Sequence, residues 1–139
     1  MDSPEKQSPY YRVSSRAVIL TPDKKLVLVQ DNEGEYQVPG GGWEHGESFE
    51  DCLRRELREE LSVGMEEIGP VLFTYRQLDR RGYTALRLAA RVVPDSYDFA
   101  AADDMVAYRL VTKEEFLRIE LCPGEGPVQD FADIIWDEV

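Results

Sequence analysis

Glu56, Glu59 and Glu60 stand at i, i+3 and i+4 in a segment of helical periodicity, a spacing that projects all three carboxylates from one face. Three like charges on one patch repel one another unless a cation neutralises them. Carboxylate oxygens are the ligands that hard Mg2+ or Mn2+ prefer. Magnesium keeps several waters and takes one or two protein carboxylates plus phosphate oxygens of its substrate, so the guest implied is a phosphate ester or anhydride. Just ahead lies Pro39-Gly40-Gly41-Gly42, followed by Trp43, Glu44, His45, Gly46 and Glu47. Three consecutive glycines suit neither helix nor regular strand, and here they aim backbone groups at the start of the same helix. A plainer reading stands beside this one. Glutamate-rich helix faces are commonly solvated, and Arg54, Arg55 and Arg58 can pair locally with Glu50, Asp51 and Glu59.

The elements that must position these groups follow from the pattern. Ser48 and Asp51 form a capping box, and Phe49, Leu53, Leu57 and Leu61 recur every four residues, which predicts an amphipathic helix of about four turns. Residues 16–20 and 26–30 are apolar runs around a polar 21–25, read as a hairpin. A second polar turn at 31–35 precedes a short apolar step at Tyr36 and Val38. Gly69 and Pro70 close a turn, and residues 71–77 and 83–93 read as long strands joined through Asp79, Arg80, Arg81 and Gly82. A loop at 94–104 carries Asp95, Asp98, Asp103 and Asp104. Residues 106–111 resume strand character, Thr112 caps a short helix with Glu115 at its third position, and 127–137 form a final amphipathic helix through Val128, Phe131, Ile134 and Ile135. Residues 1–10 read as a flexible tail and 11–139 as a single domain. Strands and helices alternate irregularly with hairpins present, so the fold class expected is α/β, a mixed sheet covered by helices.

Composition narrows the partners. The 139 residues include 28 Asp and Glu against 16 Lys and Arg, a formal charge of −12, with 42% hydrophobic and 32% charged residues. This is the balance of a soluble globular chain. Its acidity opposes binding of duplex nucleic acid. No apolar run approaches the roughly 20 residues of a membrane span, and no apolar stretch behind a basic start marks a secretory signal, so the expected location is cytoplasmic. Cys52 and Cys122 have no metal-ligand spacing and read as small buried or half-buried thiols. The tail and the strands near it could support a homodimer.

The residues also carry a family resemblance. Gly41, Glu47, Arg55-Glu56-Leu57, Glu59-Glu60 and Val63 resemble the signature of the Nudix hydrolases (MutT-like), G-x5-E-x7-R-E-U-x-E-E-x-G-U with U aliphatic, which spans residues 41–63. The departure is Ser62, where the family has glycine; Gly64 is available to supply the left-handed turn. Tyr36-Gln37-Val38-Pro39-Gly40-Gly41 is similar to the family's approach to the box, and residues 108–116 to its late strand and short helix, with Leu110 in place of the usual Trp. The resemblance implies an α/β/α sandwich and a Mg2+-dependent hydrolase, Mn2+ substituting, that cleaves the pyrophosphate linkage of a nucleoside diphosphate derivative.

What it implies for single residues is specific. Glu56, Glu59 and Glu60 would hold the metal, helped by the Gly40 carbonyl and by Asp104, or else Asp103. Arg55 would orient Glu47 or a helix carboxylate, and Glu47 and Glu44 would stand behind the ligands. Gly41, Tyr36 and Trp43 are candidates for substrate contact, His45 reads as an exposed loop residue, and Arg16, Arg76 and Arg87 could contact phosphates or balance surface charge. Residues 77–81 show neither the proline that the family uses for ADP-ribose nor the tyrosine for dinucleoside polyphosphates, and the coenzyme A signature is missing upstream. The subfamily is not assignable. Nucleoside triphosphates, oxidised nucleotides and nucleotide sugars remain open, as does a non-catalytic module that binds a nucleotide on the same fold. Six of the acids, Glu120, Glu125, Asp130, Asp133, Asp137 and Glu138, fall in residues 119–139, outside the motif and without a role beyond solubility.

Overall fold

A computed structural model describes residues 11–78, 82 and 84–137. The expected tail at 1–10, the turn residues Asp79, Arg80 and Arg81, and Tyr83 lie outside the described residues. The chain runs β1 (Arg12–Val18), β2 (Leu26–Asp31), β3 (Tyr36–Gln37), α1 (Phe49–Leu61), β4 (Met65–Leu78), β5 (Thr84–Pro94), β6 (Met105–Val111) and α2 (Lys113–Arg118). A 3₁₀ helix, Gly126–Phe131, leads into α3 (Ala132–Ile135).

The strands form two three-stranded sheets, ordered β1-β5-β4 and β3-β2-β6. The first is mixed. β1 pairs in parallel with β5 from Arg12↔Ala85 to Val18↔Arg91, and β4 pairs antiparallel with β5. The second is antiparallel throughout. Successive strand side chains point to opposite faces, and here both faces are buried. Ala17, Val27, Val29, Ala90 and Val92 pack with Leu53, Leu57 and Leu61 of α1, whereas Val18, Leu26, Leu28 and Ala89 pack with Phe116, Val128, Ile135 and Trp136. Helix, sheets and helices therefore make three layers, the α/β/α arrangement expected. Among the described residues no helix is long and apolar enough to cross a membrane.

Four local expectations are corrected. β1 and β2 do not form a hairpin ladder; they join different sheets and touch at a Leu20↔Leu26 bridge and the Ile19–Val27 backbone bond. Continuous apolar runs specify burial on both faces, not the partner. Gly69 and Pro70 do not end a strand, because β4 passes through them with register shifts between Ile68 and Val71 and between Val71 and Phe73. β4 is an edge strand, where a proline lacking its N–H is tolerated at a bulge. The final helix is broken into a 3₁₀ segment, Gly126–Phe131, with Pro127 in its first turn, and one α turn, and Ile134 faces solvent. Lastly, the left-handed residue that ends α1 is Ser62 itself, at φ 60° and ψ 33°, with its N–H donated to the Arg58 carbonyl.

A non-glycine residue in that region costs roughly 1 kcal/mol. Ser62→Gly is therefore expected to raise stability by about 0.5–1 kcal/mol, read as a higher denaturant midpoint at unchanged slope. An unchanged or lowered midpoint would contradict the strain assigned to Ser62.

Candidate active site

The glycine run lies along the free edge of β1. Ala17 donates to the Pro39 carbonyl at 2.8 Å, Ser15 to the Gly41 carbonyl at 2.9 Å, and Trp43 donates to the Val13 carbonyl at 3.0 Å. Approach this close excludes a side chain at Gly40 and leaves one at Gly41 only by moving Glu56. At Gly40, with φ +145°, a Cβ would overlap the Ser15 carbonyl; at Gly41 it would stand 2.5 Å from the Glu56 carboxylate. Cys52 fills the space beneath, its Sγ 3.3 Å from Ser15 Oγ and 3.6 Å from the Gly42 carbonyl. On the other side stands α1, begun by the expected capping box of Ser48 and Asp51.

This packing puts the loop against the acidic face. The Gly40 amide donates to Glu60 Oε1 at 2.8 Å. Glu60 is 7% and Glu56 9% exposed, whereas the Glu59 side chain is 43% exposed. Burial pushes the Glu60 carboxyl up to about 8 against the pull of the Gly40 amide, and the Glu56 charge adds to the rise. Burial also raises Glu56, with Arg55 opposing. A carboxyl held up to about 8, beside a second that burial also raises, fits a divalent cation well, because the cation supplies the countercharge that their surroundings lack.

Arg55 is the hub of the remaining contacts. Its Nε and Nη2 donate to Glu47 at 2.7 and 2.9 Å, its Nη1 to Glu56 Oε2 at 2.7 Å and to Glu59 Oε2 at 3.5 Å, and its Nη2 also to the Gly42 carbonyl at 2.8 Å. Those bonds, led by the one to Glu47, raise the Arg55 pKa, and in return Arg55 and the Glu44 amide hold Glu47 down to about 2. Glu44 reaches Arg55 only at 3.9 Å. The described bonds engage Oε2 of Glu56 and Glu59 and Oε1 of Glu60, so each carboxylate keeps an oxygen for a ligand. The three do not form a tight triad. Among the described residues the ligand atoms that gather within 4.8 Å are those of Asp31, Glu35 and Cys122. The Cys122 thiol there is pushed up to about 11 by burial and the Glu35 charge, so it is a protonated donor to Glu35 at neutral pH.

Other expected residues are scattered around this centre. Asp103 and Asp104 are exposed in a loop docked on the end of α1, where the Ala100 and Ala102 amides donate to the Leu61 and Glu60 carbonyls. Trp43 packs on Phe49 with centroids 5.4 Å apart, and with Arg12, Val13, Glu44 and the exposed His45 it lines an open cleft of about 510 Å³. Tyr36 lies away from that cleft, against the second core with the Arg109 guanidinium over its ring. Arg76 is exposed. Arg16 is buried and Arg87 half-buried, both paired with Glu125 rather than held free for phosphate. Nothing local in the sequence marks Glu125 or Ser15 as neighbours of the site, because their partners lie far along the chain; Cys52 stands one turn before Arg55 on α1, and its helical position is the signal that could have found it.

The model of the NUDIX domain matches residues 10–129. The uncharacterised Nudix hydrolase YvcI of Bacillus subtilis is 30% identical over 127 residues, 88% of this chain and 79% of the relative. The CTP pyrophosphohydrolase of Escherichia coli is 32% identical over 117 residues, 81% of this chain and 84% of the relative. In fold, the crystal structure of the MutT protein from Methanosarcina mazei superposes with a TM-score of 0.79 at 20% identity, covering 94% of this chain and 96% of that one.

The Glu60 shift sets a pH dependence. From its ordinary value of 4.5 to about 8 the unfolded chain releases a proton that the folded chain retains, so stability falls as pH rises through that window. The depressed Glu47 acts in the opposite sense, its contribution being lost only as pH falls from 4.5 towards 2. In EDTA, thermal midpoints are therefore expected to decline from pH 5 to pH 8, and Glu60→Gln is expected to flatten the decline. A wild-type midpoint that rises across this window would contradict the burial assigned to Glu60.

Proposed function

Since this chain belongs to the Nudix family of hydrolases, we propose that it cleaves the pyrophosphate linkage of nucleoside triphosphates with Mg2+ as cofactor, Mn2+ substituting. The observation that carries this reading is the pair of buried carboxylates, Glu56 and Glu60, set against a glycine loop whose amide already holds one oxygen of Glu60. A triphosphate is favoured within the family by the likeness to the CTP pyrophosphohydrolase of Escherichia coli. Residues 77–81 carry neither family mark for ADP-ribose or dinucleoside polyphosphates.

Each residue has a distinct task. Glu56 and Glu60 would hold the divalent cation, with the Gly40 carbonyl and Asp104 as further oxygen donors at its rim; Glu59, a ligand candidate by the resemblance, takes a different task. A cation held there neutralises charge on phosphoryl oxygens and acidifies water. Glu60 must give up the proton that burial favours, and the Gly40 amide stabilises its ionised Oε1. Arg55 fixes the direction of Glu56 and locks the loop through Glu47 and the Gly42 carbonyl, so that the carboxylates do not splay under their own repulsion. Glu59, the most exposed of the three, is the group free to accept a proton from the attacking water at its Oε1. Trp43, which lines the open cleft, would contact the substrate.

The test is a panel of nucleoside triphosphates, oxidised nucleotides, nucleotide sugars, ADP-ribose and dinucleoside polyphosphates, assayed with Mg2+ and then Mn2+. The expected result is release of nucleoside monophosphate and pyrophosphate from triphosphates, abolished by EDTA and by Glu60→Gln. Glu59→Gln is expected to lower kcat by about 10²–10⁴-fold, the range for loss of a general base. Turnover that persists in EDTA would contradict the reading. Nucleotide binding without turnover across the panel would make the chain a binding module.

A further inference from the structure

Behind the glycine loop lies a buried charge network that the catalytic reading does not use. Glu125 stands at the start of the 3₁₀ helix yet makes no cap bond with its side chain; the carboxylate turns inward and is 0% exposed. Tyr75 donates to its Oε1 at 2.7 Å, Arg16 Nε lies 3.5 Å from Oε1, and Arg87 Nε lies 3.8 Å from Oε2. Arg87 is otherwise bound to Ser14 Oγ and Gln77 Oε1, and Gln77 donates to the Pro123 carbonyl at 2.8 Å. Gly124, at φ +85°, has no room for a Cβ against Gln77, so the turn before Glu125 is shaped around this network.

As a structural clasp the arrangement is poor. Buried ion pairs seldom repay their desolvation. Among the described residues, the buried side-chain polar atoms without a hydrogen bond are Arg16 Nε and Glu125 Oε2, both in this pair. The position of Arg16 suggests a different use. Its backbone and the Ser15 carbonyl form the wall against which Gly40 is pressed, and Gly40 is the residue bonded to Glu60.

We propose that Glu125 is a positioning residue for the metal site, acting through Arg16: it holds and neutralises that guanidinium, so that Arg16 does not repel a cation at Glu56 and Glu60. The inference rests on the metal-binding reading above. The guanidinium itself reaches this wall: Arg16 Nη1 donates at 3.3 Å to the Ser15 carbonyl, the atom that closes on Gly40, whose amide holds Glu60, so the Arg16 charge stands behind the acidic face. Without a cation the Arg16 charge therefore supports the acidic face; with a cation it opposes binding, and Glu125 limits that opposition. One acid of the C-terminal segment thereby acquires a task.

Binding of Mn2+ to the full chain, followed by the EPR signal of the free ion, tests this without recourse to activity. Wild type is expected to bind Mn2+ and Glu60→Gln to lose that binding; no difference between them would defeat the metal-binding reading and this inference together. Glu125→Gln is expected to weaken binding about tenfold or more, as Coulomb repulsion by an uncompensated buried charge requires. Arg16→Gln combined with Glu125→Gln is expected to return to within about threefold of wild type, since charge and countercharge then leave together. Unchanged binding in Glu125→Gln, or a double variant as weak as Glu125→Gln, would overturn the proposal and leave the network a structural clasp. If Glu125→Gln does not fold, Arg16→Gln alone decides: tighter Mn2+ binding supports the proposal, and equal or weaker binding overturns it.

Discussion

The site depends on how closely the backbone at Gly40 and Gly41 approaches two neighbours at once. On one side the loop is hydrogen-bonded along β1; on the other its Gly40 amide meets Glu60 and its Gly41 Cα faces Glu56. A Cβ at Gly40 would push the loop off β1 and with it the amide that holds Glu60; a Cβ at Gly41 would displace the Glu56 carboxylate from its place on the loop. The distance between β1 and α1 is set further by the core below, where Ala17 supplies a small side chain and Leu53, Leu57 and Leu61 fill the remaining space. Geometry at the loop and packing in the core therefore impose the same spacing, which is why the carboxylates can be both buried and ordered.

Burial at that spacing has an electrostatic cost, and the chain divides it between two arginines. Arg55, at the mouth, binds Glu47, Glu56 and Glu59 directly and holds the acidic face together. Arg16, inside, is kept in place by a carboxylate from the far end of the chain. Glu60 is bonded to neither in the contacts described, with the Gly40 amide on one oxygen and a carboxyl that burial holds towards its neutral form. In the proposed mechanism this leaves Glu60 the group most responsive to a cation, because its ionisation is the one the protein alone supports least.

The parts legible in sequence were those whose causes are local. The bounds and N-cap of α1 and the capped α2 arise from residues within a few positions of one another and stand in the structure as the pattern predicts; the acidic spacing is local too, yet it does not announce that Glu56 and Glu60 are buried while Glu59 stays half-exposed. Pairings between distant segments were not legible. Runs such as Leu26 to Val29 are apolar on both faces, so they announce burial between two layers but not the partner that β1 or β2 will choose. The bulge at Gly69 and Pro70 looked like a turn because the same residues serve both. Ser62 takes the left-handed position in spite of its type, since the helix must end where β4 begins. Glu125 was one acid among six in a polar segment, and only the fold brings it to Tyr75 and Arg16, 50 and more positions away.

The central claim is that Glu56 and Glu60 hold the catalytic cation. Crystals of the chain soaked in Mn2+ and measured at the manganese edge test it most directly, since anomalous scattering locates the ion without reference to activity. A strong peak is expected within ligating distance of Glu56 and Glu60, facing the loop at Gly40, and it is expected to be lost in Glu60→Gln crystals. A peak confined to Asp31, Glu35 and Cys122, the tightest cluster of ligand atoms among the described residues, with none at the α1 face, would contradict it.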